Sequence, residues 1–194
     1  MPTLTIFAGI NGAGKSTLYE YEKQKTGNKD FGKRVNPDEI LLEFNGDWSA
    51  TADQYKSGRI ALQRIKVCLE NKESFNWETT VLSYFAMQTI KLAKSLDYTI
   101  NLFFIGVNNV QTSLSRINKR IKKGGHGIDK NLVISRFNHQ YDNIQTVLKM
   151  VDKAIFYDNS LTMQIAATYV NDKFTYINLY YKWTEKIIDA SKNK

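Results

Sequence analysis

The chain holds one cysteine and two prolines in 194 residues, and each scarcity excludes something. A lone cysteine forbids an intrachain disulfide. Cys68 sits between Val67 and Leu69 in a helical pattern, which predicts a small core residue rather than a reactive thiol. With two histidines and that one cysteine, no Cys/His cluster has metal-ligand spacing, so a structural zinc is excluded. No apolar run approaches the ~20 residues of a membrane-spanning helix. The first residues form neither a charged nor an apolar leader, and a cytoplasmic protein with no membrane partner is expected. Repeats, low-complexity tracts and Gly/Ser-rich linkers are missing as well. This predicts a single domain over residues 1–194, with a core over 1–160 and an appendage over 161–194.

Acids are the last shortage. Against 27 Lys and Arg stand 19 Asp and Glu, for a net charge of +8 and a pI near 9.4. That excess suits an anionic partner, whether nucleotide, nucleotide-sugar or nucleic acid. Its location says more: residues 111–139 hold Arg116, Lys119, Arg120, Lys122, Lys123, Lys130 and Arg136 against one acid, Asp129.

What is present is enough apolar content, 42%, to fill one core. Residues 3–8 read as a buried strand, followed by a glycine-rich turn and a helix from Lys15. Further strands are expected over 33–36, 74–77, 98–107 and 154–157. Helices are expected over 53–71 and 83–95, then over a stripe of Val110, Leu114, Ile117 and Ile121 ended by Gly124-Gly125. One more helix should carry Val133, Phe137, Tyr141, Ile144 and Leu148, with Asp129 as its N-cap. Two alternating segments around Asn171-Asp172 predict a β-hairpin, and residues 183–188 a closing helix. Strands alternating with helices specify an α/β fold, a mostly parallel five-stranded sheet between helical layers.

Gly9-Ile10-Asn11-Gly12-Ala13-Gly14-Lys15-Ser16 matches G-x-x-x-x-G-K-[ST] at every fixed position, between that strand and that helix. Glycines let the loop turn its N–H groups toward phosphate oxygens, and the helix N-terminus adds partial positive charge. Gly9, Asn11, Gly12, Ala13, Gly14, Lys15, Ser16 and Thr17 are therefore expected to bind ATP or GTP. Lys15 should reach the β- and γ-phosphates, and the Ser16 hydroxyl should ligate Mg²⁺.

An ABC ATPase signature is missing. Asn28-Lys29-Asp30 lacks the spacer and comes too early for a regulatory GTPase. A small-molecule kinase remains. It needs a phosphate loop, an acid beside the acceptor hydroxyl, and a basic lid. Asp38, after the second strand, is the candidate base, with capping of the next helix as its alternative. Glu78, closing the third strand, with Thr79 or Thr80, can contact the substrate; Glu78 can equally hold a water on Mg²⁺, or the segment is a solvent-facing turn. Arg116, Lys119, Arg120 and Lys123 share one helix face, so Arg116 and Arg120, with Arg136 third, are candidates to clamp the transferring phosphoryl group. The alternative is a solvated basic face. Glycines 124, 125 and 127 around His126 suit a lid spanning about residues 110–130. His126 either contacts phosphate or belongs to the turn, and His139 reads as structural.

The P-loop, VNPDEI, NWETT, a basic helix leading to GGH, and YDNS together resemble the zeta toxin-like P-loop kinases, in the branch labelled ABC-type ATPases. The resemblance covers roughly residues 3–160. It implies a P-loop kinase fold and phosphorylation of a hydroxyl of UDP-N-acetylglucosamine or a similar metabolite with ATP or GTP and Mg²⁺. In some members it implies a small helical antitoxin partner. It places the base at Asp38, the Walker residues at Lys15 and Ser16, substrate contacts at Glu78 with Thr79 or Thr80, and the arginine clamp around Arg116, Arg120 and Arg136. Two other readings stay open from the residues: a polynucleotide-directed kinase or ATPase, and a non-catalytic nucleotide-binding switch.

Overall fold

The computed structural model describes residues 1–27, 31–80 and 82–192; Asn28, Lys29 and Asp30 lie outside them. Strands β1 (Thr3–Ala8), β2 (Lys33–Val35), β3 (Phe75–Thr79), β4 (Thr99–Gly106), β5 (Lys153–Asp158), β6 (Gln164–Val170) and β7 (Lys173–Ile177) form one seven-stranded sheet, ordered β2-β3-β1-β4-β5-β6-β7. The five strands β2, β3, β1, β4 and β5 run parallel, as expected. The helices are α1 (Lys15–Lys25), α2 (Pro37–Glu43), α3 (Thr51–Glu70), α4 (Tyr84–Ser95), α5 (Val110–Lys122), α6 (Lys130–His139), α7 (Ile144–Leu148) and α8 (Trp183–Lys192).

Both faces of the sheet are covered, which is why its strands read as apolar runs rather than alternations. Successive residues of β1 point to opposite sides. Ile6 joins Ile65 of α3, Ile90 of α4 and Phe104 in one core, and Phe7 joins Leu18 and Tyr19 of α1 with Phe103 and Ile105 in the other. Cys68 is buried in the first core, as a small apolar residue would be.

Three boundaries differ from expectation, each for a local reason. The strand expected to end at residue 77 runs on to Thr79, because the polar side chains of Asn76 and Glu78 find partners inside the protein. The single helix expected through Leu148 is broken into α6 and α7. In the break, Asp142 binds the His139 ring and Asn143 donates to the Leu82 carbonyl 2.7 Å away, so side-chain bonds compete with helix continuation. The C-terminal hairpin, expected as an appendage, adds β6 and β7 antiparallel to the β5 edge and thereby covers it. Its turn residues Asn171 and Asp172 have φ of 52° and 60°, the left-handed pair that a two-residue hairpin loop requires.

The segments after β1, β2, β3, β4 and β5 all leave the sheet at its carboxyl edge, where ligands bind in open parallel sheets. They carry the P-loop, Asp38, Thr80, α5 and Asn159 respectively.

Candidate active site

The P-loop bends as its glycines allow. Gly12 sits at φ +78°, and a Cβ there would lie 2.6 Å from the Ser113 carbonyl, so the absence of a side chain lets α5 rest on the loop. Gly14 takes φ +110° as the residue preceding α1, placing the first free N–H groups of that helix beside the loop. The Asn159 amide donates to the Ala13 carbonyl at 2.7 Å and braces the turn from the β5 side. Asn11, Gly12, Gly14, Lys15, Ser16 and Thr17 line a cavity of about 370 Å³.

Lys15 is buried, with its ammonium 3.3 Å from the Ile10 carbonyl and 3.9 Å from Glu78 Oε1. Burial holds its pKa below the ordinary lysine value. Glu78 and Asp38 oppose that shift, while Arg136 and Arg120 add to it. A phosphate chain in the loop would add to the negative charge that Glu78 already sets beside this buried cation.

Glu78 is the hub of the floor. It is 5% exposed and its carboxylate accepts from Ser16 Oγ at 3.2–3.3 Å, Arg34 Nη2 at 3.0 Å and Asn36 Nδ2 at 3.1 Å. A solvent-facing turn is thereby excluded for this residue. Arg34 also donates to Glu39 and Asn76 and lies 3.9 Å over the Tyr19 ring, so it is fixed on several sides. A hydroxyl beside a carboxylate is a hard-oxygen pair suited to Mg²⁺. No group of three or more His, Cys, Asp or Glu side chains forms a metal cage among the described residues. Mg²⁺ takes one or two protein oxygens and completes its shell with phosphate and water, so a pair such as Ser16 and Glu78 is enough to hold it.

Asp38 does not cap α2. Asn36 does, accepting from the Asp38 backbone N–H at 2.9 Å, with Pro37 in the first turn. The Asp38 side chain is thus left for the cleft, where its Oδ2 lies 2.7 Å from His126 Nε2. Burial disfavours its charge. The hydrogen bond and charge of His126, with Lys15 and Arg120, outweigh that and hold the carboxyl below the usual aspartate range. Asp38 and His126 line both the phosphate cavity and a second cavity of about 260 Å³, bounded by Trp48, Gln54, Gly58, Trp77, Thr79, Thr80 and Arg136.

The basic residues divide between the two cavities. Arg116 and Arg120 line the phosphate cavity, with Arg116 Nη1 3.4 Å from the Ala13 carbonyl. Arg120 Nε and Nη2 are buried and have no hydrogen-bond partner among the described residues. Arg136 instead lines the second cavity and donates to Asn11 Oδ1 at 2.7 Å. Lys119, Lys122 and Lys123 are exposed, and His139 pairs with Asp142 and lines neither cavity. Gly9 closes the β1 end by donating to the Thr79 carbonyl at 3.3 Å.

Arg34, Asn36 and Asn159 were not singled out as site residues by the sequence. Arg34 stands in a three-residue strand, and only its place beside β3 reveals that it reaches Glu78. Asn36 carried a signal, an N-cap residue immediately before Pro37. Asn159 lies in the YDNS stretch, far from the P-loop in sequence.

The family model for zeta toxin matches residues 1–168. An uncharacterized protein of Haemophilus influenzae is 32% identical over 132 residues, covering 68% of this chain and 89% of that protein. Among solved structures, the AvrRxo1-ORF1:-ORF2 complex superposes with a TM-score of 0.73 at 17% identity, over 96% of this chain and 64% of that one. A structure of the PezAT chromosomal toxin–antitoxin system of Streptococcus pneumoniae superposes at 0.59 and 15% identity, over 91% and 71%. At such identities the structural likeness is one of fold, and this chain spans somewhat less than two thirds of the AvrRxo1 chain. A P-loop kinase-type α/β sheet and the family match agree: the chain belongs to the zeta toxin family.

Proposed function

We propose that the protein is an ATP- or GTP-dependent kinase that transfers the γ-phosphoryl group to a hydroxyl of a small molecule, a nucleotide-sugar or a similar metabolite. One observation carries this reading: Asp38 stands on the wall common to two adjoining cavities, one lined by the P-loop and the other by Thr79, Thr80 and two tryptophans. A hydroxyl in the second cavity meets the carboxylate on its way to a phosphate in the first.

The chemistry assigns a role to each group. Asp38 accepts the acceptor's hydroxyl proton as its oxygen bonds to the γ-phosphorus and the bond to the β–γ bridging oxygen breaks, releasing the nucleoside diphosphate. Lys15, Arg116 and Arg120 face the charge that spreads over the phosphoryl oxygens. Ser16 and Glu78 would hold Mg²⁺, which when bound neutralises phosphate charge. Arg34 and Asn36 fix the carboxylate of Glu78. Thr79, Thr80 and Arg136 orient the acceptor. The test is incubation with ATP, Mg²⁺ and a panel of nucleotide-sugars including UDP-N-acetylglucosamine, with products identified by mass. A gain of one phosphoryl mass on one acceptor is expected, and ATP hydrolysis with no phosphorylated acceptor across a broad metabolite panel contradicts the reading.

A partner protein belongs to the same proposal, since PezAT is a toxin–antitoxin system. Co-expression with a small helical protein encoded beside this chain is expected to suppress transfer, measured with the same mass assay.

The acceptor cavity supports a separate prediction. Gly58 lies inside α3 with nothing within 4 Å of where a Cβ would stand, so no clash demands glycine there. A helix-interior glycine costs about 0.5–1 kcal/mol relative to alanine. The space opens on the cavity. Gly58→Ala is therefore expected to raise Tm while raising KM for the acceptor, with nucleotide affinity unchanged. Thermal unfolding and steady-state kinetics read the two effects separately.

A further inference from the structure

We infer that His126 is a positioning residue for the phosphoryl transfer proposed above, holding Asp38 through Oδ2 so that Oδ1 is presented to the acceptor hydroxyl. The inference rests on the kinase reading of the site, but the pairing on which it depends is a property of the chain alone.

Three observations converge. The first is the contact: His126 Nε2 lies 2.7 Å from Asp38 Oδ2. An ionised carboxylate only accepts hydrogen bonds, so Nε2 carries the proton. Among the described residues no hydrogen bond reaches Oδ1. One oxygen is thus tied to the protein and one is left for substrate. The second is location, since both residues line the phosphate cavity and the acceptor cavity.

The third is how the loop after α5 is seated. A Cβ on Gly125 would lie 2.7 Å from Arg120 Cγ, and one on Gly127 would lie 2.8 Å from the Trp48 ring and 2.7 Å from Ile121 Cδ1. The glycines flanking His126 therefore press the loop against an arginine of the phosphate cavity on one side and a tryptophan of the acceptor cavity on the other. His126 reaches Asp38 only while this loop is in place, so the base is oriented when both walls are assembled.

Other charges also act on this carboxylate: Lys15 from the P-loop and Arg120 from α5 favour its ionised form, and Arg136 on α6 is coupled to it. Glu39, next but for the backbone in α2, is engaged by Arg34, and Glu78 by Ser16, Arg34 and Asn36. Removing His126 leaves those groups in place, so the effect of its loss is separable.

The experiment compares wild type, His126→Ala and His126→Gln, the last restoring a side-chain N–H near the Nε2 position. The Asp38 carboxyl carbon is titrated by NMR, and kcat and KM for the acceptor are measured against pH. In His126→Ala the Asp38 midpoint is expected to rise, the acid limb of the rate profile to rise with it, and kcat to fall by about 10–100-fold, within the range of a misplaced catalytic group. His126→Gln should recover part of kcat and lower the midpoint again. An Asp38 midpoint identical in all three proteins overturns the inference, as does a kcat in His126→Ala equal to wild type. If the midpoint moves but wild type phosphorylates no acceptor, the pairing stands and the kinase reading falls.

Discussion

Asp38→Asn is expected to lower kcat by about 10²–10⁴-fold, the range assigned to a positioned general base, while nucleotide affinity changes little. The amide keeps the shape of the side chain and can still meet His126, but it takes no proton. In the proposed reading nucleotide affinity resides in Lys15, Ser16 and the loop N–H groups, which are untouched by the change. Calorimetry with a non-hydrolysable ATP analogue, set beside the mass assay for transfer, separates the two. Equal transfer by the variant would sink the assignment of the base.

The pH dependence follows from the same carboxylate. Its folded pKa is depressed, by the bond and charge of His126 with Lys15 and Arg120 acting against burial. A group of this kind adds stability that is present above the ordinary aspartate pKa and is lost as pH falls through the depressed value. Activity should therefore hold down to mildly acidic pH and fail below the usual aspartate range. In Asp38→Asn the portion of acid destabilisation due to this residue should vanish.

Much of this site was legible before the fold, but unequally. The P-loop is contiguous, and its chemistry is written in the backbone freedom of Gly12 and Gly14, so eight residues sufficed to locate it. Asp38 was legible because Pro37 ends a strand and the acid follows at a sheet edge. The role of Asn36 in freeing it from capping needed coordinates. Glu78 read as closing the third strand, and only the arrival of Arg34 from β2, 44 residues earlier, explains its burial. Arg136 read as a clamp candidate alongside Arg116 and Arg120, yet α6 carries it to the second cavity, where it donates to Asn11. His126 was read as either a phosphate contact or a turn residue. Its partner, 88 residues away, is visible only once α5 folds over the P-loop. Contiguous motifs are readable because local backbone geometry performs the task; pairs formed across the sheet edge are not.

Arg120→Met is expected to lower kcat by about 10³-fold or more, the scale of an arginine that faces a transferring phosphoryl group, without lowering Tm. The two halves have one cause. Arg120 Nε and Nη2 are buried with no partner among the described residues, and an unpaired buried donor costs about 1–3 kcal/mol, more when charged. Methionine retains the stem that packs on Gly125 and removes the unsatisfied nitrogens, so the free protein should melt at the same temperature or higher. On the proposed kinase reading, phosphate supplies the missing acceptor. Saturating nucleotide should therefore raise the Tm of wild type more than that of Arg120→Met, and this difference in ligand-induced shift is the direct measure of the contact. Arg120→Lys should restore the charge but little of kcat, because a point charge does not reproduce a planar fork of donors. Arg116→Met offers the contrast: its guanidinium already touches the Ala13 carbonyl, which Asn159 also serves, so the change removes a made contact rather than an unpaired donor and should not raise Tm. An Arg120→Met protein with wild-type kcat and an undiminished nucleotide shift would make the buried guanidinium a structural burden with no catalytic return, and the clamp would have to be sought elsewhere.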